Sequence, residues 1–253
     1  MVAMIESILE EPGRLREVEP GLFSVLDPGD AGAPFDRIAA AYDRAVSSPT
    51  YMRLAWGMTR EDNARFIGGA VASAERGWLV DVAAGTCVDA AAIHARTTRP
   101  TVVLDRSIAM LRRARERVAA FGGGVPAEIV FLQADATAMP FAEGSITTLL
   151  CHGAYHVFQD TALLTDEWKR TLAPMGGLFV SSLVRGRWLG DRYLALLRRA
   201  GEIAPPRTAA EFRARLEQEL SRAFAFEAVG NFAYAHACRE AAKDRREERG
   251  EDR

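Results

Sequence analysis

The chain has 253 residues, 49% of them hydrophobic and 26% charged, with a formal net charge of −2. That suits one large α/β domain with a sizeable core, and the near-neutral balance gives no electrostatic reason to expect nucleic acid or an anionic membrane as partner, although frequent arginines leave room for a local basic patch. Three scattered cysteines, Cys87, Cys151 and Cys238, argue against a disulfide framework and a zinc site, and no run approaches the roughly 18 apolar residues of a membrane span.

Ile5, Ile8 and Leu9 give residues 1–10 the spacing of a short amphipathic helix. The acidic character of residues 1–19 does not read as a signal peptide, so a reducing cytoplasmic setting is expected. Pro12-Gly13, Pro20-Gly21 and Pro28-Gly29 punctuate the next stretch, and residues 11–34 read as loop. Phe35, Ile38, Ala39, Tyr42 and Val46 predict a helix over 35–46. A second helix is expected over 59–74, with Thr59 as cap and Asp62 three residues on.

From residue 78 onward, short apolar runs and helical stretches alternate. Strands are predicted at 78–82, 101–104, 128–133, 145–151 and 178–183, and helices at 89–96, 108–120 and 163–172. Ser107 caps the second of these helices, Ile108, Leu111, Ala114 and Val118 form its apolar stripe, and Gly122-Gly123-Gly124 ends it. Arg112, Arg113, Arg115 and Arg117 on the same helix read as a solvated face. The alternation implies parallel strands with helices on both faces. At the end of the chain, 224–229 and 232–238 flank Gly230-Asn231 and predict a β-hairpin, an antiparallel edge. The expected fold is therefore a doubly wound α/β protein with a mostly parallel, seven-stranded, Rossmann-like sheet. Residues 1–34 form an N-terminal extension, 35–238 the domain and 239–253 a charged tail. Residues 185–207, carrying Trp188, Leu189, Tyr193, Leu194 and Leu197, read as an insertion suited to a lid.

In such a sheet, ligands bind beyond the carboxyl ends of the strands. After the first predicted strand comes Asp81-Val82-Ala83-Ala84-Gly85-Thr86-Cys87-Val88-Asp89, whose small residues let backbone approach a ligand. After the second comes Asp105, placed to accept hydrogen bonds from both hydroxyls of a ribose. After the third comes Asp135-Ala136, an acceptor for an exocyclic amine beside an amide donor for a ring nitrogen. Cys151 reads as a small core residue, and Trp56, Trp188 and Tyr193 are candidates to line an apolar pocket.

Residues 79–89, 102–111, 133–148 and 149–160 together resemble the class I S-adenosylmethionine-dependent methyltransferases, especially the small-molecule group that includes the ubiquinone and menaquinone methylases. The Asp-Ala-Thr-Ala-Met-Pro-Phe stretch at 135–141 matches that family closely, and Phe35-Asp36-x-x-Ala39-x-x-Tyr42-Asp43 looks like its cofactor-covering N-terminal helix. The resemblance implies S-adenosylmethionine as cofactor, without a metal, and methyl transfer to a small organic acceptor of lipid, quinone or natural-product type. It implies that Ala83, Gly85 and Thr86, with Asp81 behind them, surround the methionine part. Asp105 binds the ribose, Arg106 joins the cofactor-binding set, Asp135 and Ala136 read the adenine, Tyr42 closes over the cofactor and His152 or Gly153 sits beside the sulfonium. His152 and His156 are the catalytic candidates, with Tyr155 a weaker one. The family's turn carries three glycines; here Ala83 and Cys87 stand at two of those places. Expected partners exclude nucleic acid and membrane insertion, and the chain is expected as monomer or homodimer. Three alternatives remain: a protein of this fold that binds the cofactor without transfer, a nicotinamide-dependent oxidoreductase whose Gly-x-Gly-x-x-Gly fingerprint is absent here, and a partner-binding module.

Overall fold

A computed structural model describes residues 2–27, 43–44, 46–73 and 77–237. Most of the predicted helix over 35–46, the residue Cys238 and the charged tail lie outside the described residues. Strands, in chain order, are β1 (Arg16–Glu19), β2 (Leu22–Ser24), β3 (Leu79–Val82), β4 (Thr101–Asp105), β5 (Ile129–Gln133), β6 (Ile146–Cys151), β7 (Leu172–Leu183), β8 (Ala225–Val229) and β9 (Phe232–Ala237). Helices are α1 (Val2–Glu6), α2 (Pro49–Tyr51, running into a π-helical turn Met52–Trp56), α3 (Arg60–Val71), α4 (Ala91–His94), α5 (Ile108–Gly122), α6 (Thr161–Thr171), α7 (Trp188–Arg199) and α8 (Ala209–Leu220).

Among the described residues the strands form one nine-stranded sheet in the order β1-β2-β5-β4-β3-β6-β7-β9-β8. The six from β2 to β7 run parallel, while β1 and the β8–β9 hairpin run antiparallel at the two ends. The sheet thus has the expected character but two more strands than predicted. Residues 16–24, read as loop, form a hairpin turned at Gly21 (φ 73°), and β2 pairs in parallel with β5 through Leu22↔Phe131 and Ser24↔Gln133. β2 has only three residues, two of them apolar, too short a run to show a period. Its stability comes from a partner more than 100 residues away.

Both faces of the central strands are covered, which is why they read as unbroken apolar runs rather than alternating ones. Val80, Val82, Val102, Leu104, Val130 and Leu132 face one layer, where α1, α6 and α8 contribute Ile5, Leu164, Trp168, Phe212 and Leu216. Val103, Phe131, Leu150 and Phe179 face the other, against Phe66 and Ile67 of α3 and Leu111, Ala114 and Val118 of α5. The predicted α5 stripe is thus the buried one, and Ser107 accepts from the Met110 amide as its cap. Thr59 and Asp62 form a reciprocal capping box on α3.

The arginines of α5 are not a plain solvated face. Arg112 and Arg115 donate to Glu19, and Arg115 also to the Pro20 carbonyl (2.6 Å), clamping the β1–β2 turn to the helix. Arg117 donates to the Thr86 carbonyl (2.6 Å) and to both carboxylate oxygens of Asp43. Such long-range partners leave no mark in local spacing.

Candidate active site

Parallel register sets the carboxyl ends of β3, β4 and β5 side by side, with Val82 opposite Leu104 and Asp105 opposite Gln133. The turn after β3 folds back over β4. The Gly85 N–H donates to Asp105 Oδ2 and the Ser107 N–H to Asp105 Oδ1, both at 2.8 Å. Asp105 is only half-buried, and a carboxylate oxygen can accept more than one hydrogen bond. Gly85 lies in the left-handed region (φ 56°), and among the described residues, its chain neighbours aside, no heavy atom comes within 4 Å of where a Cβ would stand.

Ala83 (φ 53°) and Cys87 (φ 52°) are also left-handed. The turn thus adopts a glycine conformation at both places where glycine is missing, rather than refolding around the side chains, and it holds strain typical of non-glycine residues there. Burial, together with the nearby charges of Asp81 and Asp105, pushes the Cys87 thiol well above its ordinary pKa, so it stays protonated.

Asp81 is buried, and its Oδ2 lies 2.8 Å from Nε2 of His94, a fully buried residue of α4 that sequence reasoning did not single out. Among the described residues, Asp81 Oδ1 and His94 Nδ1 find no hydrogen-bond partner. With Cys87, these two form the one group of metal-capable side chains found among the described residues, their donor atoms within 4.8 Å of one another. The 2.8 Å contact is that of a hydrogen bond between the imidazole and the carboxylate.

Thr86 donates to Asp43 at 2.6 Å, which joins the turn to the segment before α2. Burial alone would raise the Asp43 pKa; the hydrogen bonds from Thr86 and Arg117 and the charges of Arg117 and Arg113 outweigh it and hold the carboxyl below its ordinary value. Tyr42 lies outside the described residues. At the β5 end, Asp135 accepts from the Thr137 amide (2.8 Å) and hydroxyl (2.7 Å), Ala136 is buried beside it, and the Arg106 guanidinium is paired to the other Asp135 oxygen. Arg106 therefore lies across the face of Asp135.

After β6, His152 Nδ1 sits 2.8 Å from Ser181 Oγ, which also accepts from the Gly153 N–H (2.9 Å). His152 Nε2 lies 3.9 Å from Asp89 Oδ2. Asp89 also accepts from Arg60 (2.8 Å) and Asn63 (2.6 Å), and Asn63 accepts from the Tyr234 hydroxyl (2.8 Å). Burial tends to raise the Asp89 pKa, but the hydrogen bond and charge of His152, then Asn63 and Arg60, bring it below the ordinary value. Phe66 and Phe232 pack on the His152 ring. His156 is placed apart from this network. Its Nδ1 accepts from the Leu183 N–H (3.2 Å), and the loss of solvent around the ring pushes its pKa down to about 4, so it is neutral near pH 7. Both histidines thus have one ring nitrogen engaged within the protein. Tyr155 is buried with its hydroxyl on Glu219 (2.9 Å), and Cys151 is a core residue.

Trp56 and Tyr193 come together as expected, 5.1 Å between ring centres, with Tyr51 making a third wall. Trp188 does not join them: it stands out from α7 under the Arg192 guanidinium.

Residues 79–176 match the family model described as a methyltransferase domain. Over 159 residues the chain is 31% identical to a demethylmenaquinone methyltransferase of Clavibacter sepedonicus, an alignment that covers 60% of this chain and 58% of that protein's length. Among solved structures, an S-adenosylmethionine-dependent methyltransferase from Thermotoga maritima superposes with a TM-score of 0.55 at 17% identity, covering 81% of this chain and 97% of that one. The geranyl diphosphate C-methyltransferase from Streptomyces coelicolor A3(2), solved with S-adenosyl-L-homocysteine, gives 0.55 at 13% identity, covering 83% of each chain. Residues 79–176 thus resemble a methyltransferase domain, and the chain has the fold of solved S-adenosylmethionine-dependent methyltransferases.

Proposed function

We propose that the protein transfers a methyl group from S-adenosylmethionine to a small organic acceptor. The observation that carries this reading is the convergence of the open Gly85 turn, the half-exposed Asp105 carboxylate and the Asp135–Ala136 pair on one edge of the sheet. That set fits the cofactor's three parts. Backbone of Ala83, Gly85 and Thr86 would hold the methionine part, Asp105 would accept from the ribose hydroxyls, and Asp135 with the Ala136 amide would read the adenine edge. Arg106 would swing from Asp135 to admit that edge. When bound, S-adenosylmethionine supplies an electrophilic methyl on a sulfonium, open to in-line displacement.

What the chain itself contributes is alignment rather than strong base catalysis. His152, fixed by Ser181 and Asp89, serves as a positioning residue that presents a rigid polar wall beside the β6 end. The Tyr51–Trp56–Tyr193 cluster would shelter an apolar acceptor, and α7 over it fits the lid role. An acceptor carrying its own lone pair, or a readily ionised carbon or hydroxyl, suits this site best. The 31% identical demethylmenaquinone methyltransferase supports a quinone-like acceptor.

The test is calorimetric titration of the protein with S-adenosylhomocysteine beside Asp105→Ala. Binding that the variant weakens at least tenfold is the expected result. No binding by the intact chain would overturn the reading.

A further inference from the structure

Helix α7 has its solvent face on the wrong side of the usual rule. Trp188 is 71% exposed, Leu196 59% and Leu189 50%. Trp188, Leu189, Arg192, Ala195, Leu196 and Arg199 are all exposed, at spacings that put them on one face of the helix, while Gly190 and Leu194 hold the buried side. Leu54, on the π-helical turn beside α7, is 60% exposed. Between the two elements runs a groove of about 400 Å³, lined by Thr50, Tyr51, Leu54, Ala55, Leu189 and Tyr193. Scattered exposed leucines need no explanation, but a contiguous set with a tryptophan at its margin does.

The charge around this patch says what would cover it. The chain is net negative, yet over residues 185–202 five arginines stand against two acids, Asp191 and Glu202. Asp191 is turned inward, accepting from Asn231 Nδ2 and the Gly186 N–H, both at 2.8 Å. Arg192, Arg198 and Arg199 are exposed and pair with no carboxylate among the described residues. Exposed apolar side chains, an interfacial tryptophan and arginines that reach past them are the composition of a helix that lies in the headgroup layer of a membrane. A protein partner would be expected to offer carboxylates at fixed places; a bilayer offers diffuse negative charge over an apolar interior, and exposed arginines without a carboxylate partner match the latter.

We propose that α7 and the adjoining π-helical turn form a docking surface for an anionic phospholipid bilayer. The helix lies on the membrane with Trp188, Leu189, Leu196 and Leu54 at the headgroup boundary and Arg192, Arg198 and Arg199 on the phosphates. The groove by Tyr193 then opens toward the lipid. No described helix is long and apolar enough to cross the membrane.

The full chain would be sedimented with vesicles of phosphatidylcholine alone and of phosphatidylcholine with about one third phosphatidylglycerol, without cofactor or acceptor, so that the outcome is independent of methyl transfer. Binding to the anionic vesicles only, released by salt, is expected. Arg198→Gln/Arg199→Gln should lower the partition coefficient roughly twentyfold, about fivefold per charge, and Trp188→Ala roughly tenfold. All three positions are exposed, and circular dichroism would check that the variants stay folded. A blue shift of tryptophan emission on anionic vesicles, absent in Trp188→Phe, would place the contact. Failure to bind anionic vesicles, equal binding of the variants, or self-association through the patch in lipid-free sedimentation would each overturn the proposal.

Discussion

Ala83→Gly and Ala84→Gly are the same chemical change at neighbouring residues, and they should shift stability in opposite directions. Ala83 is held at φ 53°, whereas Ala84 is not in the left-handed region. Both variants give the unfolded chain extra freedom, which costs about 0.4–1 kcal/mol, and both lose part of one methyl group's burial. Ala83→Gly alone also relieves left-handed strain of about 1–2 kcal/mol. Ala84→Gly should therefore lose up to about 1 kcal/mol, and Ala83→Gly should gain up to about 1 kcal/mol. At this chain length a kcal/mol corresponds to roughly 2–4 °C in Tm, so the two melting curves should fall on either side of the parent. Urea midpoints at unchanged slope would give the same ordering. If Ala83→Gly destabilises as much as Ala84→Gly, the strain is not stored at Ala83 and the reasoning fails. Titration of both variants with S-adenosylhomocysteine would then show whether the strained turn also limits cofactor binding; binding by Ala83→Gly at least equal to the parent's is expected, since the Ala83 side chain packs on the core.

Cys87→Gly should not share that gain, because it relieves the same strain but empties a buried site in the core; a Tm at or below the parent's is the expected outcome. Arg117→Met leaves Asp43 shielded without its main counter-charge and frees the Thr86 carbonyl, so unfolding in urea should show a loss of about 2 kcal/mol. Adding Asp43→Asn should recover part of it. His156 has its folded pKa, about 4, below its unfolded one, so the unfolded chain binds the extra proton and stability falls as pH drops from about 6.5 to about 4. The linked loss is of the order of 2–3 kcal/mol. His156→Asn, which keeps an acceptor for the Leu183 amide, should flatten the fall in urea midpoint between pH 7 and pH 5; an unchanged slope would count against this assignment.

The parallel core was legible because each strand's two buried faces leave an apolar run bounded by turn residues, as at Ile129–Gln133. Caps such as Thr59 with Asp62, and Ser107, were legible because their partners lie three residues away. The end-of-strand acids could be placed by chain order alone. What escaped depends on distant partners. The three-residue β2 is defined by β5, the α5 arginines by Glu19 and Asp43, and His94 by a carboxylate on a strand behind it. The neighbours of His152 were unreadable for the same reason, since Ser181 and Asp89 come from two other segments. The left-handed backbone at Ala83 and Cys87 was half-visible, as an absence of glycine where the family has it.

The hairpin at residues 16–24 also decides how the molecule ends. Without it, β5, all of whose residues are buried, would be a bare edge of Ile, Val, Phe and Leu with its amides and carbonyls unpaired, a template for strand addition from another copy. β2 occupies that template, and β1 offers the outside an Arg-Glu-Val-Glu row that is largely exposed and pinned by Arg112 and Arg115. The opening residues of the chain thus act as a chain-terminator for the sheet, and trimming them would raise the tendency of one molecule to add to the next.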